Sequence, residues 1–325
     1  MTRTRPKWAF ALPLLLALYA VSCWPQQNFP SRSVRVIVGF PPGGTNDLVM
    51  RAMAEKFQSM GYTMIIDNRG GGSGNIATEA VARADPDGYT LGYLSKSNLV
   101  INPHVFRNLA YDPVKSFEPV TLAAAATGVL AVHPSQPIQN LEQFIAWAKA
   151  NPGKMTVASN GPTDPTNIVI LLMNHSIGLE LQPVYYKGGA PAVSDFSGGH
   201  VPAIVNVVLG LKPLAASGKA RLLAVSKANR SSLLPDVPTF AELGHPGVTM
   251  EFGAGLLAPA GTPKPILEKL YVDASRILAM PEVVQRINTL GNDVIACTPG
   301  EFKAIIQTEL EKWRGLVKIL GWKPE

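Results

Sequence analysis

The stretch from Ser33 to Met60 constrains the fold more than any other. Ser33–Gly39 is mostly β-branched and apolar, a Pro-Pro-Gly-Gly turn follows, and Asn46–Met60 then places Val49, Met53, Phe57 and Met60 at helical spacing. An apolar run of strand length has no polar face to turn to water, so both of its faces must be covered. The amphipathic helix supplies one cover, and Tyr62–Asp67 adds a second strand. The chain therefore opens as βαβ, the unit of a doubly wound α/β domain.

The same pattern continues. Residues 76–84 read as a helix closed by Asp85-Pro86-Asp87-Gly88, and Tyr89–Leu94 as a strand. Asn140 caps a helix over Leu141–Ala150, which Pro152-Gly153 ends. Met155–Ser159 is a strand running into the polar, proline-rich loop Asn160–Asn167, and a helix follows as far as Ile177. Val184–Tyr186, Val201–Val208 and Ala220–Ser226 read as further strands. Pro119–His133 and Met250–Pro259 are longer than one strand usually needs, as expected of segments that leave one domain and return. Pro265–Leu278 and Pro281–Leu290 begin with proline in the first turn. The capping box Thr298-Pro299-Gly300-Glu301 opens a last helix with Phe302, Ile305, Ile306, Leu310, Trp313, Leu316, Val317 and Leu320 on one face.

A length of 325 residues predicts one large domain or two ordinary ones, with a core that needs no disulfides. The formal charge of +6 raises the question of nucleic acid, and its location answers it. Arg3, Arg5 and Lys7 precede the uncharged run Trp8–Val21, and Ala20-Val21-Ser22 supplies small residues for a peptidase. Residues 1–22 therefore read as a secretory signal peptide, too short and too interrupted by Pro13 to span a bilayer. Half of the +6 belongs to that leader, and no basic run with interleaved aromatics remains, so nucleic acid is not expected as a partner. Cys23 follows at once and raises acylation as a second reading, against which the missing Leu three places earlier counts. Cys297 is the other cysteine, so paired-cysteine metal and redox motifs are excluded, and a Cys23–Cys297 bridge stays open.

Catalytic signatures are missing. In Gly70-Gly71-Gly72-Ser73-Gly74-Asn75, Asn75 stands where a nucleophile elbow needs its last glycine. The G-x-G-x-x-A ending at Ala77 has no acidic residue about 20 positions on to hold a ribose. His104, His133, His175, His200 and His245 lack metal spacing, and neither a metal nor a cofactor is expected. Three βα loops remain. Phe40-Pro41-Pro42-Gly43-Gly44-Thr45-Asn46-Asp47 leaves backbone N–H groups open at a helix N-terminus, with Asp47 placed to fix the loop. Ser159–Asn167 and Lys187–Pro191 repeat the arrangement in the second half of the chain. Three such loops converging on one cleft fit recognition of a carboxylate by neutral donors.

These segments resemble the Bug family, the extracytoplasmic solute receptors of tripartite tricarboxylate transporters. The resemblance runs in order through Pro42-Gly43-Gly44 with Asp47 and Arg51; Asp67-Asn68-Arg69; Ala84–Leu91; and Tyr111-Asp112-Pro113. It continues through Tyr186–Pro191, Gly198-Gly199, Leu234–Thr239 and Ala258–Pro263. It implies a type II periplasmic binding protein fold, two doubly wound α/β domains joined by two hinge strands and closing on a ligand like a clamp. Domain 1 would comprise residues 28–128 plus 249–325, and domain 2 residues 129–248. It implies ligand contacts from Phe40, Pro42, Gly43, Gly44, Thr45, Asp47, Ser95 and Ser97 in the first domain. From the second come Ser159, Asn160, Gly161, Thr163, Thr166, Asn167, Lys187, Gly188, Gly189, Ala190, Pro191 and Asn206. Two positions depart from the family pattern. Asn167 stands where relatives usually carry His, and Asn206, between Val205 and Val207, stands where an acidic residue is common. An acid there could pair with the amine of an amino-acid ligand, so Asn206 points to an aromatic or dicarboxylic acid without an amine.

The expectation is thus a monomeric periplasmic solute-binding protein, not an enzyme, that captures a small carboxylate for the membrane subunits of a transporter. The alternatives are a receptor presenting ligand to a sensor kinase, and an exported enzyme using the same cleft.

Overall fold

The computed structural model describes residues 29–40, 42–161, 164–186 and 188–319. The leader, Cys23, Thr163, Lys187 and Leu320 lie outside the described residues. The first half is built from β1 (Val34–Val38), α1 (Thr45–Ser59), β2 (Met64–Asn68), α2 (Asn75–Ala82), β3 (Thr90–Ser95), α3 (Lys96–Val100), α4 (Asn102–Val105) and the long β4 (Phe117–Val132). Next come α5 (Leu141–Ala150), β5 (Thr156–Ser159), α6 (Pro165–Ile177), β6 (Gln182–Tyr185), α7 (Gly189–Ser197), β7 (Ala203–Val207), α8 (Val208–Ala216) and β8 (Arg221–Val225). The chain closes with β9 (Glu251–Pro259), α9 (Lys264–Leu278), α10 (Pro281–Thr289), β10 (Asn292–Val294) and α11 (Pro299–Ile319).

The strands run in the order β2-β1-β3-β9-β4-β7-β5-β6, with β8 and β10 also paired to β4. β2, β1 and β3 are parallel, as are β7, β5 and β6, and the strands between these blocks are antiparallel. The reason lies in the burial of β1. Val34, Val36 and Val38 pack with Val49, Met53 and Phe57 of α1, while Ile37 on the other face joins Ala77 and Val81 of α2. Each fully buried side chain of this kind contributes about 1.5–3 kcal/mol, so a strand covered on both faces anchors its layer.

β4 belongs to two blocks. Up to Thr127 it pairs with β9, and near that point with β10; from Gly128 onward it pairs with β7 and β8. At this change of partners a buried cluster holds three segments together. Asp293 of β10 accepts hydrogen bonds from Thr127 Oγ1 (3.0 Å), Lys227 Nζ (2.9 Å), Ser231 Oγ (2.9 Å), and both the amide (3.1 Å) and hydroxyl (2.6 Å) of Ser232. Burial alone would raise its pKa, but Ser232, the Lys227 ammonium and Ser231 outweigh that and hold the carboxyl below the ordinary carboxylate range. Ser226 bonds both neighbours of the crossing, donating its amide to Gly128 and its hydroxyl to Met250.

α5 and α11 begin where their caps predicted, with Asn140 Oδ1 accepting from the Gln143 amide and Thr298 exchanging bonds with Glu301. α3, α4, α8 and β10 are new relative to the sequence reading. No helix among the described residues is long and apolar enough to cross a membrane.

Candidate functional site

A cleft of about 690 Å³ opens at the carboxyl ends of the parallel strands, where open α/β sheets place their ligands. One wall is the start of α1, with Phe40, Gly44, Thr45 and Asn46. Gly44 is the N-cap and no side chain caps the helix, so its first amides are left to water or a ligand. The loop is braced from behind. Asp47 Oδ2 accepts from the Gly43 amide (2.8 Å), Arg51 Nε bonds both carboxylate oxygens (3.0 Å), and Asn68 Nδ2 reaches Oδ1 (2.9 Å). Asp47 is only 1% exposed. Burial pulls its pKa up, yet Arg51, the Gly43 amide and Asn68 bring the net value below the ordinary one.

The same wall continues through Ser73, Ser95, Ser97, Asn98 and Asn102. Ser95 caps α3, accepting from the Ser97 amide. The intervening Lys96 turns away, 3% exposed, to an ion pair with Glu309 of α11. Asn98 Nδ2 (2.6 Å) and Asn102 Nδ2 (3.2 Å) both donate to the Ser73 carbonyl, and Tyr111 donates to the Asn98 carbonyl (2.6 Å). Asn98 lies so close that a Cβ on Gly74 would meet its Nδ2 at 2.6 Å, and Gly74 also has a φ of +85°, so glycine is required there. Among the described residues no donor reaches Asn98 Oδ1, although Asn98 is 1% exposed.

The facing wall is formed by Asn160, Gly161, Asp164, Pro165, Thr166, Gly189 and Asn206. Asn160 organises it. Its amide donates to Thr166 Oγ1 (3.0 Å), its side-chain oxygen accepts from Asn206 Nδ2 (3.1 Å), and its carbonyl accepts from the Gly188 amide (3.2 Å). Gly188 caps α7 with no side-chain hydrogen bond, so this helix end is also open. α6 differs, because Asp164 is its N-cap and accepts from both the amide (2.9 Å) and the hydroxyl (2.7 Å) of Thr166. Burial raises the Asp164 pKa, and the Thr166 bonds offset only part of that. The floor is Ala126, Val207, Phe252, Leu290, Gly291 and Asn292. Asp164 is the one ionisable side chain among the described lining residues, and none of these is Lys, Arg or His. The arrangement can hold an anion with dipoles and amides.

Residues 48–322 match the tripartite tricarboxylate transporter family receptor. Protein BugT of Bordetella pertussis is 32% identical over 298 residues, covering 91% of each chain. The structure of the periplasmic binding protein BugD superposes with a TM-score of 0.75 at 31% identity, covering 91% of this chain and 100% of its own. The R. palustris protein Rpa4515, solved with adipate, superposes with a TM-score of 0.78 at 30% identity, covering 92% and 100%. The chain belongs to the tripartite tricarboxylate transporter receptor family.

Its fold is the α/β periplasmic binding protein fold of those receptors. Within this family receptor the cleft brings together ten of the residues singled out from the sequence: Phe40, Gly44, Thr45, Ser95, Ser97, Asn160, Gly161, Thr166, Gly189 and Asn206. Pro42 and Gly43 sit exposed beside the cleft, as do Ala190 and Pro191. Asp47 braces its loop, Ser159 and Asn167 are buried behind the wall, and Gly188 contributes its backbone to the cap of α7. Sequence reasoning included Asn46, Asp164 and Pro165 only as parts of its loops, and it missed Ser73, Asn98, Asn102 and the whole floor. Asp164 had a signal, since Asp before Pro marks a capped helix start. Asn98 and Asn102 had none, because the short α3 and α4 bring them forward.

Proposed function

We propose that this receptor works in the periplasm, where it captures a small carboxylate and hands it to the membrane subunits of its transporter. The single observation that carries the ligand class is the pairing of open helix ends: α1 and α7 both face the cleft with no side-chain cap, and no described lining residue is a cation. Backbone amides and helix dipoles hold a carboxylate without the tight grip of a buried arginine, which suits a protein that must release its cargo. The adipate held by Rpa4515 supports the same class.

In this reading the two domains are residues 28–128 plus 249–325 and residues 129–248, the protein is a monomer, and closure about β4 and the start of β9 shifts with ligand occupancy. Asn206 spends its amide on Asn160 and its oxygen on the Val207 amide, so nothing at that position calls for an amine. The ligand is then an aromatic or dicarboxylic acid lacking an α-amine, bound and released unchanged. Native mass spectrometry of freshly purified protein, followed by calorimetry with the retained acid, tests this. Recovery of an unaltered small carboxylate supports it; conversion of the acid, or tight binding of aspartate or glutamate with no binding of simple carboxylates, overturns it.

A further inference from the structure

We infer that Asp164 sets the specificity of the cleft by demanding a hydrogen-bond donor, rather than a second carboxylate, at the end of the ligand that meets α6. This rests on the carboxylate reading above and chooses between the two acid classes it leaves open. Among the helices that begin at the cleft, α1, α6 and α7 follow its three βα loops, and one feature separates them. α1 and α7 start with uncapped glycines, whereas the start of α6 is already occupied by the chain's own carboxylate. Asp164 Oδ1 takes the Thr166 amide and hydroxyl, which are the donors that α6 would otherwise have offered to an anion. The positive end of that helix is spent before a ligand arrives.

The consequence is a cleft with two kinds of wall. At α1 and α7 it presents donors, and a ligand carboxylate belongs there. At α6 it presents an acid that is itself part of the lining, with no Lys, Arg or His among the described lining residues to compensate a second anion. Two carboxylates brought close in a partly desolvated cleft repel, while a hydroxyl donates to Asp164 and is held. The Asp164 wall therefore asks for a hydroxyl or other donor on a monocarboxylate frame. The floor of Ala126, Val207, Phe252 and Leu290 suits an apolar body between the two ends.

Calorimetry tests this with three acids of equal chain length: adipate, 6-hydroxyhexanoate and hexanoate. Wild type is expected to bind 6-hydroxyhexanoate at least about tenfold more tightly than adipate, with hexanoate between them. Asp164→Asn keeps a good cap, so the fold is preserved, and it is expected to shift the adipate to 6-hydroxyhexanoate affinity ratio toward adipate by about tenfold or more. Equal or tighter binding of adipate by wild type, or an unchanged ratio in Asp164→Asn, overturns the inference and leaves the carboxylate reading standing. Binding of none of the three acids by wild type overturns both.

Discussion

Two loops of similar composition meet at this cleft and do opposite things. The segment into α1 and the segment into α6 each follow a parallel strand, contain proline and glycine, and carry one aspartate. In the first, Asp47 lies inside the opening turn of the helix, folds back on Gly43 and is shut away by Arg51 and Asn68. In the second, Asp164 is the cap and stands in the cleft wall. Moving one acid from the first turn to the cap changes a helix end from one with open amides into one that presents an acceptor. A helix N-terminus thus binds an anion only when its own sequence has not filled it.

The largest effect is expected from blocking the α1 end. Gly44→Val should lower affinity for 6-hydroxyhexanoate by more than about 100-fold, because charge-assisted amide bonds worth roughly 1.5–3 kcal/mol each become unreachable. Its melting temperature should stay within about 2 °C of wild type. Unchanged affinity would remove this loop from the site and dissolve the contrast. Next is the floor, where Gly291 has a φ of +76° and a Cβ there would sit 2.7 Å from Leu209 Cβ and 3.0 Å from its backbone N. Gly291→Ala should wedge the two walls apart and weaken binding about tenfold, in equal proportion for ligands that use either wall. A loss confined to one ligand type would show that the walls act separately.

The two acids should also part company on titration. The Asp47 pKa is lowered on folding, so it contributes stability that is present above the ordinary carboxylate pKa and is lost as pH falls through the lowered value. Asp47→Asn should cost about 1–3 kcal/mol at pH 7, and its stability should fall less steeply than wild type in acid, read by denaturant titration. Asp164 has the reverse sign. Its pKa is raised, so its ionisation works against folding as pH rises above the ordinary value. Asp164→Asn should therefore melt about 1–2 °C higher than wild type at pH 7 and no higher at pH 3. Parallel profiles for the two variants would erase the distinction between brace and cap.

Periodic apolar runs made the α/β layers legible, since β1 and α1 must bury faces whose spacing is written in the residues. The caps at Asn140 and Thr298 placed two helix starts, because a cap acts within three residues of its partner. The cleft was legible as far as its loops are local. Gly44, Asn160 and Gly189 follow strands and precede helices, a pattern any reader of the chain can find. The floor was not, because Ala126, Phe252 and Asn292 come from three distant strands and meet only through pairing with β4. Val208–Ala216 hid behind an apolar strand signature that continues unbroken from β7, and buried helix and strand look alike over so short a run.

The partner change in β4 has an architectural consequence. Thr127 lies directly across from Glu251 in the β4–β9 ladder, so the chain leaves the first block and rejoins it at neighbouring rungs. Everything from 128 to 250 is therefore an ornament hung on what would otherwise be a hairpin, and a tight turn joining those two rungs would close the first sheet without it. The Asp293 cluster is the polar part such a deletion would orphan, since Lys227, Ser231 and Ser232 all come from the hung segment. A hairpin-closed minimal form would need that one acid replaced by an apolar residue.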